Sequence, residues 1–140
     1  MLYLTFITVG DLPKGPFQEI RAEFTKRLGA YVKFTHKVVA EEGKIFDAVP
    51  EGDLICILDA DGKQLSSEAF AETVQKFENE GRHVSVLLGG PKGFSAETKK
   101  SADLLLSLSP MTTTHDMAHL FFLEQLYRAM TITRGKEYHY

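Results

Sequence analysis

Two uninterrupted apolar runs place the strongest constraint on the fold of this chain. They are Leu54-Ile55-Cys56-Ile57-Leu58 and Val84-Ser85-Val86-Leu87-Leu88. Ser85 is the one polar residue that the two runs contain. A strand that is covered on both faces has no reason to alternate polar and apolar residues, and such strands are typical of parallel sheets flanked by helices. We therefore predict that both runs are central strands of a mostly parallel sheet.

Strand and helix signals alternate along the rest of the sequence. Predicted strands are Leu2 to Val9, Tyr31 to Ala40, Leu54 to Leu58, Val84 to Leu88 and Leu104 to Leu108, the third ended by Asp59-Ala60-Asp61-Gly62. Predicted helices run from Phe17 to Leu28, from Ser66 to Phe77, shortly after Ser95, and from Thr114 to Thr131, while 41–53 forms a loop with at most a short helix. This order predicts the α/β class. Because no repeat or linker interrupts it, we expect residues 1–140 to form a single domain.

Composition and cysteine content indicate the class of protein and the compartment in which we expect it. Hydrophobic residues make up 44% and charged residues 25% of the 140, which is ordinary for a soluble globular protein. The single cysteine, Cys56, excludes an intrachain disulfide and a metal site built from several cysteines. The first apolar run is too short to cross a bilayer and has neither a basic flank nor a cleavage site. We expect a cytoplasmic protein without a membrane segment or a bound metal.

A glycine-rich segment, Gly89-Gly90-Pro91-Lys92-Gly93, connects a covered strand to a helix. Ligands of open parallel sheets bind at the carboxyl ends of the strands, and glycines there allow close approach to the backbone. A tight turn without a ligand explains the same residues equally well. The spacing matches neither a P-loop nor a dinucleotide-binding fingerprint.

Two further segments carry polar groups that could take part in chemistry. The first, Leu106-Ser107-Leu108-Ser109-Pro110-Met111-Thr112-Thr113-Thr114-His115, could bond the edge of an adenine through its backbone, or could simply form a loop and a helix cap. The second is the tail, which has Arg128, Arg134 and Lys136 as cations and Tyr138, His139 and Tyr140 as rings. Such residues suit base stacking and phosphate contact, although a frayed terminus is the commoner explanation.

Taken in order, these segments resemble the RlmH family of SPOUT methyltransferases. The resemblance covers nearly the whole chain, is weakest over Glu41 to Asp53, and is most specific in the C-terminal blocks. The matching residues are Thr8-Val9-Gly10, Lys26-Arg27-Leu28 with Tyr31, Leu58-Asp59 with Gly62-Lys63, Leu88-Gly89-Gly90-Pro91-Lys92-Gly93, Leu106-Ser107-Leu108-Ser109 with Met111-Thr112, His115, Glu124-Gln125-Leu126-Tyr127-Arg128-Ala129, Ile132, Arg134-Gly135 and Tyr138-His139.

The resemblance implies an S-adenosylmethionine-dependent enzyme that methylates N3 of a pseudouridine in large-subunit (23S) ribosomal RNA. It implies a homodimer with a C-terminal trefoil knot, a topology that general folding rules would never suggest. The implied cofactor-binding residues are Leu58, Gly89, Gly90, Leu108, Ser109, Pro110, Met111, Thr112 and Thr113. The run Leu120-Phe121-Phe122-Leu123 suits burial of the last helix in the dimer.

The implied catalytic residues are His115, Arg128, Tyr138 and His139. The methyl donor is already activated, so the protein mainly aligns the methyl group with a ring nitrogen and assists loss of that nitrogen's proton. We expect His115 to be the base, and the other three to place the RNA or stabilise negative charge. A histidine at a helix start can also serve only for capping or packing.

Two residues that differ from the usual family pattern, together with the net charge, bear on RNA binding. Relatives usually carry an arginine where this chain has His119 and a basic residue where it has Tyr140, so we expect RNA affinity there to be weaker or dependent on pH. The formal charge of −3 requires that the positive charge be local, or that a second subunit or the ribosome complete the surface. Two alternatives stay open: a module that binds the cofactor without methylating, and a dimeric scaffold without a ligand.

Overall fold

The computed structural model describes residues 1–140 and contains one five-stranded sheet in which every strand runs parallel to its neighbours. The strand order is β2-β1-β4-β3-β5. The strands are β1 Leu2–Val9, β2 Val32–Val39, β3 Leu54–Gln64, β4 His83–Leu88 and β5 Leu104–Ser107, and the helices are α1 Pro16–Leu28, α2 Ser67–Asn79, α3 Ala96–Lys99 and α4 His115–Thr133. The predicted α/β class and mostly parallel sheet are confirmed.

Hydroxyl side chains begin three of the four helices. The backbone N–H of Ala69 donates to Ser66 Oγ at 3.0 Å and starts α2, and Ser95 and Thr114 cap α3 and α4 in the same way. These bonds satisfy N–H groups that have no partner inside the helix. Two short 3-10 turns, Glu42–Lys44 and Phe46–Ala48, occupy the predicted loop over 41–53.

Strand β3 corrects one prediction. The acidic segment Asp59-Ala60-Asp61-Gly62 does not end the strand, which continues to Gln64. Leu58 and Lys63 both pair with Leu106 of β5, so the intervening residues bulge out of the ladder. At Gly62, strands β3 and β5 cross so closely that a Cβ atom would lie 2.7 Å from the carbonyl carbon of Leu105. Only glycine fits this crossing.

The core is divided by the sheet into a large and a small part. A cluster of 19 buried residues lies between the sheet and helices α1, α2 and α4. On the opposite face, Ile7, Ile57 and Leu87 pack beneath Ile45 and Phe94, which come from the loops before β3 and after β4. The two apolar strands are therefore covered on both sides, as their sequence predicts.

Helix α4 packs against both α1 and α2 and uses most of its apolar run within the single chain. Leu120, Phe122 and Leu123 are buried, whereas Phe121 keeps 42% of its surface exposed. The monomer fold thus accounts for three of the four residues that we assigned to a dimer interface. No helix has both the length and the apolar character needed to cross a membrane.

Candidate cofactor cavity and tail cluster

A cavity of about 390 Å³ opens at the carboxyl ends of β4 and β5, beside the bulge of β3. Its apolar wall combines strand ends with the first turns of α4, and its polar groups come from the loop after β5. The lining residues are Leu58, Asp59, Ala60, Leu88, Leu108, Ser109, Met111, Thr112, Thr113, Met117, Ala118 and Phe121. This position is the one where parallel α/β sheets bind their ligands.

The structure brings together most of the predicted cofactor-binding residues. Leu58, Leu108, Ser109, Met111, Thr112 and Thr113 all line this cavity, whereas Pro110 belongs to the same loop without lining it. Gly89 and Gly90 directly follow Leu88, which does line it. Sequence reasoning missed the α4 wall, although Met117 and Phe121 stand four residues apart and therefore share one helix face.

The glycine loop is tight because it folds back on itself. A Cβ atom at Gly89 would lie 3.0 Å from the carbonyl carbon of Gly93, and Gly93 adopts a positive φ of 69°. Its N–H donates to the carbonyl of Gly90 at 2.9 Å. The backbone conformation of the loop thus favours glycine at positions 89 and 93 before any ligand is considered.

Local hydrogen bonds shape the hydroxyl-rich loop and the mouth of the cavity. Ser109 Oγ accepts from the N–H of Met111 at 3.0 Å, and Ser107 Oγ donates to the carbonyl of Ser109 at 2.9 Å. At the mouth, the Asp59 carboxylate lies 3.0 Å from Lys99 Nζ. These contacts hold the loop in one conformation without consuming all of its backbone donors and acceptors.

The lining fits an adenosine-type cofactor. The cavity volume falls within the range of small-molecule sites, and apolar walls with a few polar groups are typical of such sites. Apolar side chains on both sides suit a flat purine ring. Thr112, Thr113 and the Asp59 carboxylate offer hydrogen-bond partners for hydroxyl and amine groups.

His115 begins α4 just beyond the residues that line the cavity. Its Nδ1 lies 3.2 Å from the Asp116 carboxylate. The geometry of this contact is poor for a hydrogen bond, so Asp116 Oδ1 is left without a hydrogen-bond partner. Its Nε2 is buried and also has no partner. A buried polar atom without a partner is costly, so Nε2 is the atom of this side chain that is left to be satisfied.

The tail is not frayed; it folds back on α4 and α2 through the remaining candidate catalytic residues. Arg128 forms a two-point ion pair with Glu124, with Nε–Oε1 at 3.0 Å and Nη2–Oε2 at 2.6 Å. The Tyr138 hydroxyl donates to the same carboxylate at 3.1 Å, and its ring lies beneath the Arg128 guanidinium. We call Glu124, Arg128, Tyr138 and His139 the tail cluster.

His139 has its tautomer fixed by its two neighbours. An arginine can only donate, so Nδ1 of His139 accepts from Arg128 Nη1 at 3.0 Å. Nε2 therefore carries the proton and donates to Glu68 Oε1 at 2.7 Å. Both ring nitrogens are occupied, so His139 has no free position from which to accept a proton in this arrangement.

Ion pairing removes most of the positive charge that the tail sequence suggests. Arg134 binds both carboxylate oxygens of Glu78, at 2.9 and 2.8 Å, much as Arg128 binds Glu124. Among the three cations of the tail, only Lys136 lacks an ion pair. The sequence can suggest the Arg128 pair, since Glu124 stands four residues before it, but not the Arg134 pair, since Glu78 lies 56 residues away.

His119 is fully buried rather than placed at an RNA-binding surface. Its ring packs edge-on against Phe6 and against His36, with centroids 4.9 and 5.2 Å apart, and both nitrogens lack a partner. Burial, followed by the neighbouring His36 and Arg21, lowers the pKa of His119 to about 3. A neutral core ring therefore stands at this position, and the expectation of weaker or pH-dependent RNA affinity stays a prediction.

A parallel α/β fold with a cofactor-sized cavity at its strand ends matches a known class of methyltransferases. The chain belongs to the SPOUT methyltransferase family, whose model, described as "Predicted SPOUT methyltransferase", matches residues 2–139. Among its relatives are proteins named "Ribosomal RNA large subunit methyltransferase H". Those of Christiangramia forsetii and Coprothermobacter proteolyticus are 36% and 39% identical, with 98% and 95% of this chain and 98% and 96% of theirs covered.

Solved structures agree on the fold at much lower identity. A probable methylase family protein from Haemophilus influenzae superposes with a TM-score of 0.58 at 12% identity, covering 99% of this chain and 70% of the other. A probable methyltransferase from Bordetella pertussis gives a TM-score of 0.55 at 10% identity, covering 91% and 95%. At such identities the likeness concerns the fold alone.

Proposed function

We propose that this protein transfers a methyl group from S-adenosylmethionine to a base of large-subunit ribosomal RNA, at N3 of a pseudouridine. The observation that carries the proposal is the cavity formed where the hydroxyl-rich loop meets the end of β4 and the bulge of β3. Relatives named "Ribosomal RNA large subunit methyltransferase H" that align over nearly the full chain support the choice of substrate.

We assign each wall of the cavity a part in cofactor binding. Leu58, Leu88 and Leu108 would contact the purine, while the backbone of 109–113 would bond its polar edge. Gly89 and Gly90 shape the loop beside it. S-Adenosylmethionine supplies a methyl group on a sulfonium, which leaves as a neutral thioether and so needs no acid from the protein.

The protein's remaining task is to handle the proton of the target nitrogen. Methylation forms a nitrogen–carbon bond and breaks a sulfur–carbon bond, and the nitrogen's proton must pass to a base. His115 is the candidate, since its Nε2 has no partner within the protein. The tail cluster would then orient the pseudouridine. Tyr138 would act as a neutral hydroxyl, because burial and the Glu124 carboxylate raise the pKa of its phenol.

We further propose a homodimer with the family's knot, working in the cytoplasm. Met111, Met117 and Phe121 are 79%, 50% and 42% exposed and form an apolar rim on the cavity. A second subunit would cover this rim and enlarge the RNA-binding surface that a single acidic chain lacks. Sedimentation velocity on Phe121→Asp tests the dimer: we expect a monomer, whereas an unchanged sedimentation coefficient would move the interface elsewhere.

Calorimetric titration with S-adenosylmethionine tests the cavity. Ala60 is exposed at its mouth, so Ala60→Phe should fill the opening without disturbing the core and weaken binding by about tenfold or more. Ala96→Phe, on exposed helix α3, is the matched control and should bind normally. Equal affinities for the two variants would place the cofactor elsewhere.

Methyl transfer itself is tested on ribosomes from cells that lack the enzyme. Mass spectrometry of the ribosomal RNA should show one added methyl on a pseudouridine after incubation with protein and cofactor. Cofactor binding without any added methyl group would identify a binding module instead.

A further inference from the structure

The tail cluster has a single centre, the carboxylate of Glu124. One oxygen accepts from Arg128 Nε, while the other accepts from Arg128 Nη2 and from the Tyr138 hydroxyl. Through Arg128, the same carboxylate also fixes His139, which bonds to Nη1 of that guanidinium. Three of the four candidate catalytic side chains therefore depend on one residue that is not itself a candidate.

We propose that Glu124 is the positioning residue of the reaction: it holds Arg128 and Tyr138, and through Arg128 it holds His139, in the arrangement that meets the RNA. The proposal rests on the function proposed above. Glu124 sits one turn before Arg128 on α4, which makes the pair geometrically natural, and a two-point arginine–carboxylate contact fixes orientation as well as distance.

The charge balance of the cluster supports positioning over direct phosphate binding. Arg128 is neutralised by Glu124 and has its guanidinium nitrogens engaged by Glu124 and His139. A phosphate would have to displace a carboxylate that is already optimally placed. Glu124 is half-buried, so the pair is screened less than one on the open surface.

A small second cavity of about 110 Å³ lies beside the cofactor site and is lined by Gln125, the chain neighbour of Glu124. It shares Leu108 and Phe121 with the main cavity. Gln125 bonds to Glu124 on one side, at 3.1 Å, and to the Ser67 hydroxyl on the other, at 2.8 Å. Glu124 therefore stands at the junction of the tail, α2 and the wall of the reaction site.

The test compares Glu124→Gln with Glu78→Gln. Glu78 makes an equivalent two-point contact with Arg134 of the same tail, but it touches none of the candidate catalytic side chains. Both variants remove one carboxylate charge and keep the side-chain shape. We expect Glu124→Gln to lower kcat for methyl transfer by about a hundredfold, the usual cost of a small misplacement, while Glu78→Gln stays within about threefold of the wild type.

Two readouts separate positioning from general damage. S-Adenosylmethionine affinity, measured by calorimetry, should be unchanged in Glu124→Gln because residue 124 does not line the main cavity. The pKa of Tyr138, followed by NMR of ring-labelled tyrosine, should fall, because the Glu124 charge helps to raise it. Glu124→Asp, which keeps the charge on a shorter chain, should recover part of the lost kcat.

Each outcome decides a separate point. If the wild-type protein does not methylate ribosomes at all, the proposed function fails, while the Tyr138 titration still reports whether Glu124 organises the tail. If the wild type methylates and Glu124→Gln is as active as Glu78→Gln, the positioning role is wrong. If Glu124→Gln fails to fold, Tyr138→Phe alone and combined with Glu124→Asp gives a coupling energy, and additive losses would overturn the proposal.

Discussion

Stability below neutral pH should depend on one buried histidine. The His119 ring has no exposed surface, and its pKa of about 3 compares with 6.5 for an ordinary histidine. At a pH between these two values, His119 is protonated in the unfolded chain but stays neutral in the folded chain. The free energy of unfolding therefore falls as the pH drops from about 6.5 toward 3, and the full stability is present above 6.5.

The size of the effect follows from the same two values. At pH 5, which is about 1.5 units below the ordinary histidine pKa of 6.5, protonation of His119 stabilises the unfolded chain by about 2 kcal/mol relative to the folded chain. His36 changes in the same direction, since burial and then Arg21 lower its pKa, and Asp11 opposes both shifts. His115 is the remaining titratable neighbour and also disfavours a charged His119.

Urea denaturation followed by circular dichroism at pH 7.5 and pH 5 measures this loss. Wild-type protein should lose about 2 kcal/mol more than His119→Leu over this interval. Both proteins are compared at equal protomer concentration, because the proposed dimer would also contribute stability. His83→Gln is the matched histidine control, since His83 is exposed and stacks on Tyr3 rather than packing in the core. Equal losses in the wild type and His119→Leu would refute the reasoning.

Three further predictions concern the crossing, the cysteine and the tail. Gly62→Ala should cost about 3 kcal/mol or more in urea unfolding because its Cβ meets backbone, whereas Gly43→Ala, with open space around it, should change stability by less than about 0.5 kcal/mol. Burial raises the pKa of the Cys56 thiol to about 12, so a thiol reagent at pH 8 should react in urea but not with native protein, and rapid native labelling would contradict the packing. The double change Tyr138→Ala with His139→Ala should abolish methylation and spare cofactor binding, and retained methylation would remove the tail from the reaction.

The sequence predicted the elements well where local chemistry decides them. Apolar runs without alternation marked β3 and β4, and Ser66, Ser95 and Thr114 marked helix starts, because these features act within a few residues. It failed at Asp59 to Gly62, where the polar composition indicates a turn. The strand continues there because β5 crosses Gly62 and supplies backbone partners beyond it.

The candidate site divides along the same line. The loop over 108–113 could be assigned from the family resemblance, whereas the opposite wall from Ala118 and Phe121 required α4 to be placed over the strand ends. Part of the state of the tail could be read from the sequence, since Glu124 stands four residues before Arg128 on the same helix. The tautomer of His139 and the pairing of Arg134 could not, because Glu68 and Glu78 come from α2.

By itself, the sequence determined the order of strands and helices, the parallel character of the sheet and the family, since all of these depend on local pattern. Tertiary structure alone decided which groups are charged, buried or free to react. His119 shows the reason most clearly: a histidine is a titratable surface group or a neutral core ring depending on whether water reaches it, and Phe6 and His36 settle that through space.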